Sequence, residues 1–244
     1  MPIPAVGPSE AVALAEAFNE MAADLDAARA AERSFLLSVS HELKTPLAAI
    51  SGHAEALDDG VIGPGKVAKV ILREAKRLER LVQDLLDLAR LNQRTFTVAQ
   101  EPIDLAEIAH EAATRYQPQA RALGLSIAVG GSAPSPAVGD PDRLMQVLSN
   151  LIENALHSMP AGGEITLTTE PGTIWVDDTG PGIDEDELPH AFERFYLYDR
   201  RKHNRGVGTG LGLAIVKELT EAMDGTITVT SRAGKGTRFT ISLR

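Results

Sequence analysis

Four short stretches carry residue types that can do chemistry. The first, Ser38-Val-Ser-His-Glu-Leu-Lys-Thr-Pro-Leu47, sets His41 beside Glu42, with Thr45 four residues on and Pro46 behind it. An imidazole is largely neutral at pH 7 and keeps a lone pair, so it can act as a nucleophile. It can equally be a polar side chain on a helix that bends at the proline. The second, Asn150-Leu-Ile-Glu-Asn-Ala-Leu-His157, places Asn150, Asn154 and His157 at i, i+4 and i+7, on one face of a helix. An asparagine carbonyl is a hard oxygen ligand that suits Mg2+, an ion that takes few protein ligands and completes its shell with water and phosphate oxygens. A solvated polar stripe has the same spacing. The third, Val176-Asp-Asp-Thr-Gly-Pro-Gly-Ile183, follows an apolar strand. An ionised Asp178 only accepts hydrogen bonds, so it can receive the exocyclic amine of adenine and cannot pair with a guanine carbonyl. Gly180 and Gly182 permit close backbone approach or positive φ, as they would in any strand-ending turn. The fourth, Gly206-Val-Gly-Thr-Gly-Leu-Gly-Leu213, runs into an apolar helix. Free N–H groups and the positive end of a helix dipole there would suit phosphate.

Several nucleotide and protease motifs are excluded. No Gly-Lys-Ser/Thr follows the four-residue spacing of a P-loop, and no strand precedes the glycine run as a dinucleotide fold requires. Asp178-Thr-Gly180 lacks the second copy that an aspartic protease needs to share a proton between two carboxylates.

The elements that must position these residues divide the chain in two. From Ser9, a plausible N-cap, apolar residues Leu14, Phe18, Met21, Leu25, Ala28, Phe35 and Val39 keep three- and four-residue spacings, broken by Glu32. The stripe continues through Leu43, Leu47, Ile50, Ala54 and Leu57 until the turn chemistry of Asp58–Gly65. His41 lies about 200° around the helix from Val39 and from Leu43, so it points away from the seam. A second helix carries Val67, Ile71, Leu78, Leu81, Leu85 and Leu88 on one face and Arg73, Lys76, Arg80 and Asp84 on the other. Such a hairpin cannot cover its own apolar stripes, whereas two copies can, as a four-helix bundle. The helical period lapses over residues 93–103, the expected linker. Beyond it the pattern is α+β: helices at about 104–121, 141–158 and 210–223, and strands at 125–129, 164–169, 173–177, 226–231 and 238–243. Short connections between strands predict a mixed sheet with much antiparallel pairing, covered by helices on one face. Phe192–His203, rich in charge and aromatics, reads as a lid over a triphosphate.

Composition sets the outer bounds. The 244 residues allow a sizeable core in two domains, and no apolar run spans a bilayer. With no cysteine there is neither a disulfide framework nor a thiolate metal site. A net charge of −10 argues against nucleic-acid binding, which needs a basic surface.

The stretches, in this order, resemble the boxes of the sensor histidine kinases of two-component signalling. His41–Pro46 is similar to the H box, Asn150–Asn154 to the N box and Asp178–Gly182 to the G1 box. Phe192–Phe195 resembles the F box and Gly208–Gly212 the G2 box. Residues 9–25 are similar to the last helix of a HAMP signal-relay module. The resemblance implies a multidomain chain: a HAMP remnant over 1–29, a helical hairpin over 30–92 forming a dimeric four-helix bundle, a linker over 93–103, and an α/β (α+β) ATP-binding sandwich of the Bergerat type over 104–244. It implies catalysis by His41, oriented by Glu42, with Thr45 placing water for phosphatase activity. It implies ATP bound by Asn150, Asn154, His157, Asp178, Gly180, Gly182, Ile183, Phe195, Gly208, Thr209, Gly210, Leu211 and Gly212, with Mg2+ on Asn154. The implied partners are a second copy and a response-regulator receiver domain, and the implied location is the cytoplasmic side of a bacterial inner membrane, below a transmembrane segment upstream. Ser158 stands where the family often has an aromatic residue, so one contact on the adenine side is missing. The alternatives are a Bergerat-type ATPase, which would need a catalytic carboxylate where Asn150 stands, and a degenerate kinase acting as a scaffold.

Overall fold

The computed structural model describes residues 9–91, 93, 96–197 and 209–244. It resolves into two compact units, the first ending at Glu74 and the second running from Ala75 to Arg244. The boundary therefore falls inside the second helix.

In the first unit, helix α1 (Ser9–Asp58) runs unbroken through Pro46 and leads into the start of helix α2 (Pro64–Leu91). The turn between them closes α1 with a Schellman motif. Gly60, at φ +69°, donates to Leu57 O at 3.1 Å, and Val61 donates to Ala56 O at 2.9 Å. Only a residue without Cβ takes that φ cheaply, so Gly60 fixes where α1 stops. Along α1 the side chains of Leu14, Phe18, Met21, Leu25, Leu36, Leu37 and Leu47 are exposed, as is Leu72 on α2. Val67, Glu42, Glu74 and Pro46 are buried. Among the described residues no helix is long and apolar enough to cross a membrane.

The second unit is built on a five-stranded sheet. Its strands are β2 (Ser126–Gly131), β4 (Glu164–Glu170), β5 (Thr173–Asp178), β6 (Thr226–Ser231) and β7 (Thr237–Ser242), in the order β2-β4-β5-β7-β6. Only β2 and β4 run parallel; the other pairs are antiparallel. The mixed sheet agrees with the expectation from connection lengths. Helices α3 (Leu105–Ala122), α4 (Pro141–Ser158) and α5 (Gly212–Ala222) pack on it and on each other. Alternation decides which face they cover. Ile165, Leu167 and Thr169, Ile174 and Val176, and Thr237, Phe239 and Ile241 are all buried at every second position. The register aligns Leu167, Val176 and Phe239 in one row across three strands. Burying each such apolar side chain contributes about 1.5–3 kcal/mol before entropy is counted.

The expected linker needs correction. Its last part belongs to a second, two-stranded sheet, in which β1 (Glu101–Asp104) pairs antiparallel with β3 (Pro136–Gly139). Strand β3 lies in the Pro-rich stretch Ser132–Asp140, outside the strands expected from the sequence. Two aspartates that end these strands hold them in place. Asp104 caps α3 by accepting from Ala106 N and also accepts from Ser135 N, both at 2.9 Å. Asp140 caps α4 through Arg143 N at 3.1 Å and takes Ala99 N at 3.0 Å. The Arg143 guanidinium lies 5.4 Å from the centroid of the Phe96 ring. Residues 96–104 are thus fastened to the catalytic fold.

Candidate active site

The buried row of β5, Ile174 and Val176, runs on to half-buried Asp178, so a carboxylate ends the helix-facing side of the strand. Its Oδ1 accepts the Gly180 N–H at 2.7 Å, which fixes the side chain against the following turn. That turn needs its glycines. A Cβ on Gly180 would lie 2.6 Å from Asp178 Oδ1, and one on Gly182, at φ +75°, would lie 2.3 Å from Arg232 O. The β6–β7 hairpin supports the turn from behind. Gly234 N donates to Pro181 O at 2.6 Å, Ile183 N to Ser231 Oγ at 2.8 Å, and Ser231 Oγ to Gly236 O at 2.7 Å. Gly236 comes so close that a Cβ there would sit 1.9 Å from Asp178 O. The sequence singled out Asp178, Gly180, Gly182 and Ile183, but not Ser231, Gly234 or Gly236. Their only signal was a glycine-bearing turn, which any hairpin supplies.

On α4 the apolar residues Leu144, Val147, Leu148, Leu151 and Ile152 are buried, which turns Asn150, Asn154 and His157 to the other side. Asn154 is exposed. Asn150 Nδ2 is buried and has no hydrogen-bond partner among the described residues. A buried amide left in that state costs about 1–3 kcal/mol, so the arrangement awaits an acceptor. The first residue of α5, Gly212, faces it: a Cβ there would lie 4.0 Å from Asn150 Cγ. Leu211 and Ile215 are buried beneath the start of α5, and Leu211 N reaches Thr209 Oγ1 at 3.4 Å. Gly210, at φ +77°, accepts the Phe195 N–H at 2.8 Å. Phe195 is itself buried, with φ +64°, an uncommon conformation for a bulky residue. The structure therefore joins the fourth stretch both to Asn150 and to Phe195. Gly208 and the second half of the expected lid, residues 198–203, lie outside the described residues.

Burial lowers the pKa of His157, helped by the nearby Arg80, while Glu153 opposes them. It therefore faces the site as a neutral imidazole at pH 7, able to hydrogen-bond but not to neutralise charge. Among the described residues no cluster of three or more His, Asp or Glu side chains could hold a metal ion. The asparagine carbonyls are hard oxygen donors of the kind that a cation shares with ligand oxygens. The orphaned amide, the glycine-lined approach and the hard oxygen donors fit a triphosphate with Mg2+. On the first unit His41 and Thr45 are both exposed, and the Thr45 hydroxyl donates to His41 O at 3.2 Å. Glu42, next to His41, is 4% exposed.

Residues 139–244 match the family described as histidine kinase-, DNA gyrase B- and HSP90-like ATPase, and residues 31–94 match the His Kinase A (phospho-acceptor) domain. The chain belongs to the two-component sensor histidine kinases. Sensor protein SrrB of Staphylococcus aureus (strain MRSA252) is 36% identical over 220 residues. That alignment covers 87% of this histidine kinase chain and 38% of SrrB, so the chain spans well under half the length of this relative. Among solved structures, the Acinetobacter baumannii histidine kinase AdeS superimposes with a TM-score of 0.68 at 28% identity, over 83% of this chain and 96% of that one. Full-length ShkA in complex with AMPPNP gives 0.62 at 31% identity, over 85% of this chain and 45% of that one. The histidine kinase ThkA, solved with response regulator protein TrrA, shares the fold with a TM-score of 0.70 at 23% identity.

Proposed function

We propose that this chain is the cytoplasmic catalytic part of a membrane-anchored sensor kinase. It moves the γ-phosphoryl group of ATP to His41 and from there to an aspartate of a response-regulator receiver domain. The observation that carries the reading is the buried Asn150 amide, which has no hydrogen-bond partner among the described residues and lies beside the helix start at Gly212, a donor of the kind that phosphate oxygens satisfy. Family membership and the AMPPNP bound to ShkA support ATP as the nucleotide.

Asp178 takes the adenine amine on its ionised carboxylate, and Gly180 and Gly182 bring the backbone against the base. Mg2+, held through the Asn154 carbonyl with Asn150 behind it, supplies charge neutralisation on the phosphates. The start of α5 offers backbone N–H groups to the same oxygens, and His157 contributes a hydrogen bond. An exposed ring nitrogen of His41 attacks the γ-phosphorus. A P–N bond forms, the P–O bond to ADP breaks, and ADP leaves with the electron pair. Glu42 accepts the proton released from the other ring nitrogen. In the reverse-acting phosphatase, Thr45 positions the attacking water.

Exposed Leu36, Leu37 and Leu47 of α1 and Leu72 of α2 supply apolar surface for a homodimeric bundle spanning 30–92, with 1–29 as the end of a HAMP helix. The catalytic domain extends over 104–244. Of the proposed linker 93–103, residues 96–103 are fastened to that domain. The test is direct. With labelled ATP and Mg2+, the purified chain should take up acid-labile, base-stable phosphate, and His41→Gln should abolish it. Full labelling of the His41→Gln chain would remove the assignment. A chain that binds ATP without labelling would be a scaffold.

A further inference from the structure

Asp84 has no part in the reading above. It lies on the stretch of α2 that belongs to the same compact unit as the nucleotide fold. Its Oδ2 accepts the hydroxyl of Thr209, in the glycine loop 125 positions away. Three residues further along α2, Asp87 Oδ2 takes the Gln146 Nε2–H of α4 at 2.7 Å. Two aspartates thus fasten the polar face of α2 to the two elements that line the phosphate end of the site.

An acidic clasp is an unexpected neighbour for a triphosphate. The charged groups acting on Asp84 among the described residues are Asp87 and Arg80 of α2 and Glu153 of α4, two like charges against one cation. Burial is the main reason that its carboxyl is pushed up to about 6, only partly offset by the Thr209 hydroxyl. A negative charge arriving at Thr209 would meet a carboxylate that is already poorly compensated.

We propose that Asp84 is a release element: it holds α2 on the glycine loop while the phosphate site is empty, and incoming phosphates displace it by competing for Thr209 and repelling its charge. This rests on the glycine loop binding ATP phosphates, as read above. Linkage makes the effect reciprocal, so docked α2 weakens nucleotide binding by the factor by which nucleotide weakens docking.

Asp84→Asn preserves shape and an acceptor oxygen but removes the charge. The chain has no cysteine, so Gln83→Cys and Lys217→Cys allow two spin labels on exposed positions of α2 and α5, diluted with unlabelled chain. With Asp84 present, AMPPNP and Mg2+ should lengthen and broaden the distance between the labels, and ADP, lacking the γ-phosphate, should do so less. With Asp84→Asn the short distance should persist, and AMPPNP should bind about three- to tenfold more tightly. Unchanged affinity and distances in Asp84→Asn would overturn the proposal. So would weaker binding, which would make Asp84 a residue that merely positions Thr209. An otherwise native chain that binds no nucleotide at all would instead refute the underlying functional reading, and the release element with it.

Discussion

Gly212→Ala separates what the phosphate cradle does for folding from what it does for binding. Gly212 opens α5 without a positive φ, and a Cβ there finds nothing closer than Asn150 Cγ at 4.0 Å, an ordinary contact. Alanine also restricts the unfolded chain more than glycine does, which stabilises a compatible site by about 0.4–1 kcal/mol. The variant should therefore fold as well as the native chain or slightly better. Its methyl group, however, stands in the space between the helix start and the unpartnered Asn150 amide. A phosphate oxygen kept from that amide forfeits a charge-assisted hydrogen bond, worth about 1.5–3 kcal/mol. That converts to roughly a 10- to 150-fold rise in Kd for ATP. Calorimetric titration with AMPPNP and Mg2+, beside a thermal melt, reads both quantities from one preparation. A melting temperature that holds while affinity stays native would refute the reasoning, because the cradle would then not be where phosphate sits. Lost affinity with lost folding would refute it too, by showing that the space is needed for packing.

Gly236→Ala should do the opposite: its φ of +89° and a Cβ 1.9 Å from Asp178 O predict a loss of about 2–4 kcal/mol in the second unit, measurable by urea denaturation. Asp178→Asn keeps an acceptor for the Gly180 N–H but adds a donor, so affinity for ATP should fall about tenfold or more and its preference over GTP should narrow in competition titrations. Asp84, held at about 6 in the fold against 3.8 for a free carboxyl, binds its proton more tightly when native. Its contribution to stability is therefore greatest at low pH and declines as pH rises from about 4 through about 6, by about 3 kcal/mol in all. The stability gained by Asp84→Asn should grow by about that much between pH 4 and pH 7.5; a constant difference would mean that Asp84 is solvated in solution.

Legibility followed the range of the interactions. The polar face of α4 was readable because Asn150, Asn154 and His157 obey a local helical period against buried Leu144, Leu148 and Leu151. Asp178 was readable because it opens the glycine-bearing stretch Asp178-Thr-Gly-Pro-Gly182 directly after an apolar strand. The β1–β3 pair was not readable: each strand has four residues, contains a proline and lacks apolar alternation. Those strands are held by Asp104 and Asp140, whose helix-capping role is local but whose second bonds, to Ser135 and Ala99, are not. The Thr209–Asp84 contact joins residues 125 apart, beyond the reach of any periodicity.

The two ends of the nucleotide site are held to different degrees, and this bears on where control can act. The end that the proposed function assigns to adenine rests on backbone. The Gly180 N–H, the Ile183 N–H and the Gly234 N–H are each bonded, and the close approach of Gly236 leaves the turn no room to shift. On the proposed reading, recognition of the base is thus set before nucleotide arrives. The phosphate end is held differently. Its glycine loop is tied by the Phe195–Gly210 bond and by Asp84, a side chain on another element whose charge the site disfavours. A bond of that kind can be lost without loss of the fold. A signal arriving along α2 would therefore alter how phosphates are held, changing the rate of transfer far more than the choice of nucleotide.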